Sequence, residues 1–156
     1  GGGMSTNIYA GGLFDLAEEE ALYIEARYHG DPVYVSAHLG NLWGESPDYA
    51  NHQSSLNLHQ MYMGEDGVQR WVVAHRDPGV LNWLDTTGLA HGFLTVRYTY
   101  EKQPPKDQWP TLHVKKVTFD EVRRHLPAAT GAVTAQARTD AILMRHRHVQ
   151  RRYRQY

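Results

Sequence analysis

The chain has 156 residues, a hydrophobic share of 41%, a charged share of 21% and a formal net charge of -1, which suits one packed domain and excludes a rod, a collagen-like repeat or a chain disordered throughout. No run approaches the roughly 18 apolar residues a membrane helix needs, and the N-terminus lacks the basic-then-apolar pattern of a secretory leader, so a cytoplasmic location and no membrane partner are expected. Cysteine is absent, which removes disulfides, thiolate nucleophiles and zinc-thiolate sites together.

Gly1 to Gly3 before Met4 read as an expression remnant, and residues 1–12 as that remnant plus an N-terminal arm. From Phe14 to Tyr100 the hydrophobic period is mostly two, broken at intervals by turn residues. Ala21–Arg27 is rich in strand formers and ends at His29-Gly30-Asp31-Pro32. Val33–Trp43 reads as a second strand, with Val33, Val35, Ala37 and Leu39 on one face and Tyr34, Ser36 and His38 on the other. After a loop at Gly44–Asp48, a third strand is expected at Ser54–Met61, a turn at Gly64–Gly67 and a fourth strand at Gln69–His75. In the following loop Pro78-Gly79 forces a turn, and Asn82–Asp85 is expected to make a short helical turn. Gly92–Tyr100 is a fifth strand with clean alternation.

Beyond Glu101 the character changes. Residues 102–117 read as a stiff connector with room for an edge strand. Thr118–His125 reads as a helix opened by a capping box with Glu121 and stopped by Pro127. A second helix is expected over Thr134–Tyr153, with one apolar stripe at Ala137, Ala141 and Met144 and another at Ile142, Val149, Tyr153 and Tyr156. The expected fold is mainly β: an antiparallel β-sandwich or jelly roll with its core in residues 13–101, and two C-terminal α-helices in residues 118–156 belonging to the same domain.

Charge is unevenly placed. Residues 138–156 carry six arginines against Asp140, a net +5, while the remainder carries -6. A basic tail on an acidic body binds nucleic acid or packs on an acidic surface. The apolar positions within this helix favour packing, and with two stripes the expectation is a homo-oligomer, a dimer by preference, with nucleic acid disfavoured.

The chemistry-bearing residues give three readings. Asp77, ahead of Pro-Gly, and Asp85, ahead of Thr86-Thr87-Gly88, can each accept turn N–H groups. A buried mid-strand Arg97 would need one of these aspartates as partner. With Asn57, Asn82, Trp83, Tyr49 and Trp43, this set either fixes the loop structurally or lines a pocket for an apolar or aromatic small molecule. Ligand binding near the Asp77–Asp85 loop is the first expectation, with catalysis left open; a structural or oligomerisation module without ligand is the alternative. A His-ligated metal enzyme comes third, with His38, His52, His59 and His75 as lesser candidates, while His146 and His148 on one helix diverge too far to chelate. Serine, histidine and aspartate are present, but without a Gly-x-Ser-x-Gly elbow. Gly11-Gly12 precedes a strand, so a phosphate loop is disfavoured and no cofactor is predicted.

The stretches Tyr34-Val35-Ser36, Leu42–Asn51, Ser54–Asn57 and Asp77-Pro78-Gly79-Val80-Leu81-Asn82-Trp83-Leu84-Asp85-Thr86 resemble the uncharacterised bacterial domain catalogued as DUF family twelve-fourteen. Leu126-Pro127 followed by an arginine-rich terminal helix adds to the resemblance, which covers about residues 13–155. The resemblance implies a β-sandwich or jelly-roll domain, often oligomeric, and supplies no catalytic residues.

Overall fold

The computed structural model describes residues 6–30, 32–43, 45, 53–57, 64, 66–80, 82–126 and 135–153. It is mainly β. In chain order the strands are β1 (Thr6–Asp15), β2 (Glu20–Arg27), β3 (Tyr34–Gly40), β4 (Ser55–Asn57), β5 (Gln69–Ala74), β6 (Trp83–Asp85), β7 (His91–Tyr100) and β8 (Thr111–Thr118). They form two four-stranded sheets, ordered β1-β7-β3-β4 and β6-β5-β2-β8. Every pairing is antiparallel except β5 with β6, which is parallel.

Side-chain alternation explains the burial. Val35, Ala37 and Leu39 of β3 and Leu94, Val96 and Tyr98 of β7 join Leu22 and Ile24 of β2 and Trp71 and Val73 of β5 in one cluster drawn from both sheets. A second cluster lies on the other face of β2 and β5, where Ala21, Tyr23, Val72 and Ala74 meet Val80, Trp83, Val117 and Val122. Strand β5 is thus buried on both faces, which accounts for its unbroken Trp71-Val72-Val73-Ala74 run.

Four sequence expectations are corrected. Residues 6–12 are not an arm: β1 pairs with β7 along its whole length, from Thr6↔Tyr100 to Asp15↔His91. Gly11-Gly12 interrupts its alternation and hides the strand. Asn82–Asp85 is not a helical turn, because Trp83–Asp85 is β6, pairing Val72↔Trp83 to Ala74↔Asp85. Strand β3 stops at Gly40, short of Trp43, where the Asn41 side chain accepts the N–H groups of Trp43 and Glu45 at 3.0 and 2.9 Å. Finally, Thr118–His125 is a 3-10 turn, Phe119–Glu121, running into a single α turn, α1 (Val122–His125). The capping box does form, with Glu121 accepting the Thr118 N–H at 3.0 Å. Leu126 is already extended, as a residue before proline prefers.

The remaining helix, α2 (Ala135–Tyr153), docks through arginine and not through its alanine stripe. Arg138 is 5% exposed. Its Nε and Nη2 donate to the two Asp77 carboxylate oxygens at 2.9 and 3.2 Å, and Nη2 also donates to the Val80 carbonyl. The guanidinium carbon lies 5.0 Å from the Trp83 ring centroid, a cation–π contact. Two turns on, about 10 Å along the axis, Arg145 donates to the Ser55 carbonyl at 2.9 Å. Ile142 between them is half-buried, whereas Ala137, Ala141 and Met144 are exposed. The carbonyls of Val80 and Ser55 need donors, and a guanidinium supplies up to five where alanine and methionine supply none.

Three stability measurements follow. A Cβ at Gly11 would sit 2.0 Å from the Leu94 carbonyl oxygen, at a φ of 147°. Gly11→Ala is expected to cost about 2–3 kcal/mol in urea unfolding. Asp77→Ala leaves Arg138 buried and unpaired and is expected to cost about 3 kcal/mol. Arg76→Ala removes an exposed pair with Glu19 and a cation–π contact with Phe119 and is expected to cost about 1–2 kcal/mol.

Candidate functional site

The structure distributes the sequence-selected residues over separate places. Asp77, Asn82, Trp83 and Asp85 stay together around β6, and hydrogen bonds hold each. Asp77 accepts the Gly79 N–H at 2.7 Å as well as Arg138. Asn82 donates to the Arg70 carbonyl at 3.1 Å, and the Trp83 indole donates to the Ala74 carbonyl at 3.2 Å. Asp85 accepts the Thr87 N–H at 2.8 Å, in a turn where Thr87 and Gly88 have φ of 55° and 84°. Gln53 ties this strand to the first sheet: its side chain donates to the Trp83 carbonyl at 2.6 Å, and its own carbonyl accepts the Asp85 N–H at 2.8 Å. Trp83 is buried with Arg138 over its ring, whereas Trp43 is 87% exposed and forms no wall with it. Tyr49, His52 and His59 lie outside the described residues.

His75 cross-links the segments that follow β1 and β6. Its Nε2 donates to the Leu16 carbonyl, which can only accept, at 3.0 Å, and its Nδ1 lies 2.5 Å from the Thr86 hydroxyl. Both nitrogens are spent. His38 lies elsewhere, on the outer face of the first sheet. Among the described residues no three His, Asp or Glu side chains come close enough to share a metal ion.

Arg97 is not the partner of Asp77 or Asp85. It points outward from β7, and strand register lines it up with Ser36 of β3 and then Asn57 of β4. The neighbouring row is Thr95, His38 and Ser55. At the spacing of adjacent strands, each row spans about 10 Å. Tyr34, Ser36, His38, Ser55 and Asn57 wall a concavity of about 320 Å³. Arg97 stacks over the Tyr34 ring at 5.4 Å, and neither the Arg97 nor the His38 side chain makes a hydrogen bond or ion pair among the described residues. Burial, aided by the Arg97 charge, holds the His38 imidazolium below the usual histidine range. Burial likewise lowers Arg145, whose Nη1 reaches the Ser55 hydroxyl at 3.4 Å on the rim.

A second concavity was not foreseen from sequence. At the seam between β1 and β8, a cleft of about 380 Å³ is lined by Leu13, Phe14, Leu22, Leu94, Leu112 and Val114, with Gly11-Gly12 along one wall. Leu13 and Val114 at its lip are 70% and 53% exposed, while Phe14, Leu22 and Leu94 at its floor are buried. The available signal was the glycine pair inside a strand, which marks a place where side chains are withheld.

No family model matches the chain, and no curated protein matches it. Among solved structures it is similar to a putative uncharacterized protein from Burkholderia cenocepacia, at 30% identity and a TM-score of 0.65, over 73% of this chain and 30% of that one. It is also similar to the VPA0106 protein from Vibrio parahaemolyticus, at 17% identity and a TM-score of 0.50, over 70% of this chain and 30% of that one. This chain therefore spans under a third of the length of either, and the second likeness bears on the fold alone.

Proposed function

We propose that the chain is a β-sandwich module that binds a small apolar molecule, and that the ligand enters the β1–β8 cleft and not the Asp77–Asp85 loop. The cleft carries this reading: its apolar lining runs from an exposed lip to a buried floor, and its volume falls within the usual range for ligand pockets. The loop is occupied instead by Arg138, which supports a structural role for Asp77 and Trp83. The sandwich reading rests on the core cluster shared by the two sheets. Membership of DUF family twelve-fourteen is part of the same proposal, supported by the Asp77–Thr86 block.

A ligand burying about six methylenes gains about 5 kcal/mol, from which association entropy is subtracted. Fatty acids, aliphatic alcohols and aromatic hydrocarbons are the probes of choice. A ligand that binds only the native state raises the melting temperature. Gly12 supplies the control: its φ is not positive, and a Cβ there meets nothing within 4 Å. Gly12→Val is expected to melt like the parent chain and to lose the ligand-induced shift. An unchanged shift in the variant, or none in the parent chain across the panel, would count against the cleft.

A second reading, assembly through α2, is favoured by one observation. Leu143 and Met144 are 51% and 63% exposed on the helix, away from its docked face. A homodimer closed by this face is expected to dissociate on Met144→Asp, halving the mass seen by light scattering. A monomeric parent chain at micromolar concentration removes this reading.

A further inference from the structure

On the outer face of the first sheet Arg97 has no carboxylate partner among the described residues. Arg97 Nε is buried and has no hydrogen-bond partner. A buried guanidinium donor left unpaired keeps its desolvation penalty, so this arrangement calls for an acceptor. Ser36 stands beside Arg97 in register, with Asn57 beyond it and His38 and Ser55 in the next row. Along the described strands of this face, the nearest carboxylate is Asp15, paired with His91 at 3.3 Å. His91 is six residues along β7 from Arg97, or about 20 Å. Three other described arginines of the body are answered: Arg70 by Asp66, Arg76 by Glu19, Arg27 by Glu25.

We propose that this face is a binding site for a small oxyanion, a carboxylate or a phosphate, with Arg97 as its charged anchor and Ser36, His38 and Asn57 of the adjoining rows as polar contacts. Arg97 supplies the donors, and the Tyr34 ring beneath it fixes the plane of the guanidinium. The concavity beside it gives the rest of the ligand room, and Arg145 at the Ser55 rim adds positive charge. The site is separate from the apolar cleft and does not depend on it.

The Arg97 Nε–H resonance of the nitrogen-labelled full chain reads the site directly. Sodium benzoate and sodium phosphate are titrated separately, at ionic strength held constant with sodium chloride. A saturable shift with benzoate alone assigns a carboxylate ligand; one with phosphate alone assigns a phosphate; one with both assigns the shared oxyanion chemistry. Arg97→Gln is expected to abolish the accompanying shifts of the Ser36 and Asn57 amides, while Arg97→Lys retains a weakened response. Shifts that grow linearly, or that chloride reproduces, overturn the proposal. So do Ser36 and Asn57 shifts that persist in folded Arg97→Gln. Should Arg97→Gln fail to fold, the parent-chain titration decides on its own.

Discussion

The edge strands of a sheet expose rows of backbone donors and acceptors that must be covered, paired or left to water. In this chain the pair of edges β4 and β6 and the pair of edges β1 and β8 are handled oppositely. At one, Gln53 stitches the β4 side to β6 and α2 lies across the join. At the other, β1 and β8 stand apart over an apolar cleft. The first arrangement hangs on the guanidinium of Arg138, since a helix of this length with so polar a docked face would not hold by propensity. Asp77 neutralises that group, the Val80 carbonyl takes a further donor, and Trp83 covers the ion from one side.

Much of this architecture was legible and part was not, for physical reasons. β3 and β7 each show water one face, so alternation at Val35, Ala37 and Leu39 and at Leu94, Val96 and Tyr98 could be read directly. β5 lost alternation because both its faces are buried, yet its β-branched run still marked a strand. β6 is three residues long, too short for any period, and it pairs in parallel with the strand just before it, where a hairpin would be antiparallel. The Thr118–Glu121 capping box and Pro127 were legible as start and stop signals, but nothing local told that the first turn would be 3-10 and leave a single α turn.

The candidate site was legible as residues and not as neighbours. Asn57, Arg97 and His38 were each singled out, but their common face follows from the registers of β3 with β4 and with β7, which are long-range facts. The basic tail and Asp77 were likewise noticed apart. Arg138 meets Asp77 across 61 positions, and one arginine among six could not be chosen without the fold. Arg97 was assigned a carboxylate because a buried guanidinium ordinarily has one. The sheet instead placed it among hydroxyls, an amide and an imidazole.

The pairing of β1 with β7 also bears on how the chain reaches this state. Thr6 faces Tyr100 and Asp15 faces His91, so β1 has no β7 partner until the residues 76 to 94 positions further along have been made. Closing so long a loop costs entropy before any ladder bond repays it. During that interval Leu13 and Phe14 are without their sheet, and a second nascent copy offers the same edge. Gly11-Gly12 has a kinetic consequence here: a strand broken by two glycines is a poor template for premature pairing, and it becomes a strand in earnest only once the Leu94 carbonyl is there to fit against the bare Gly11 α-carbon.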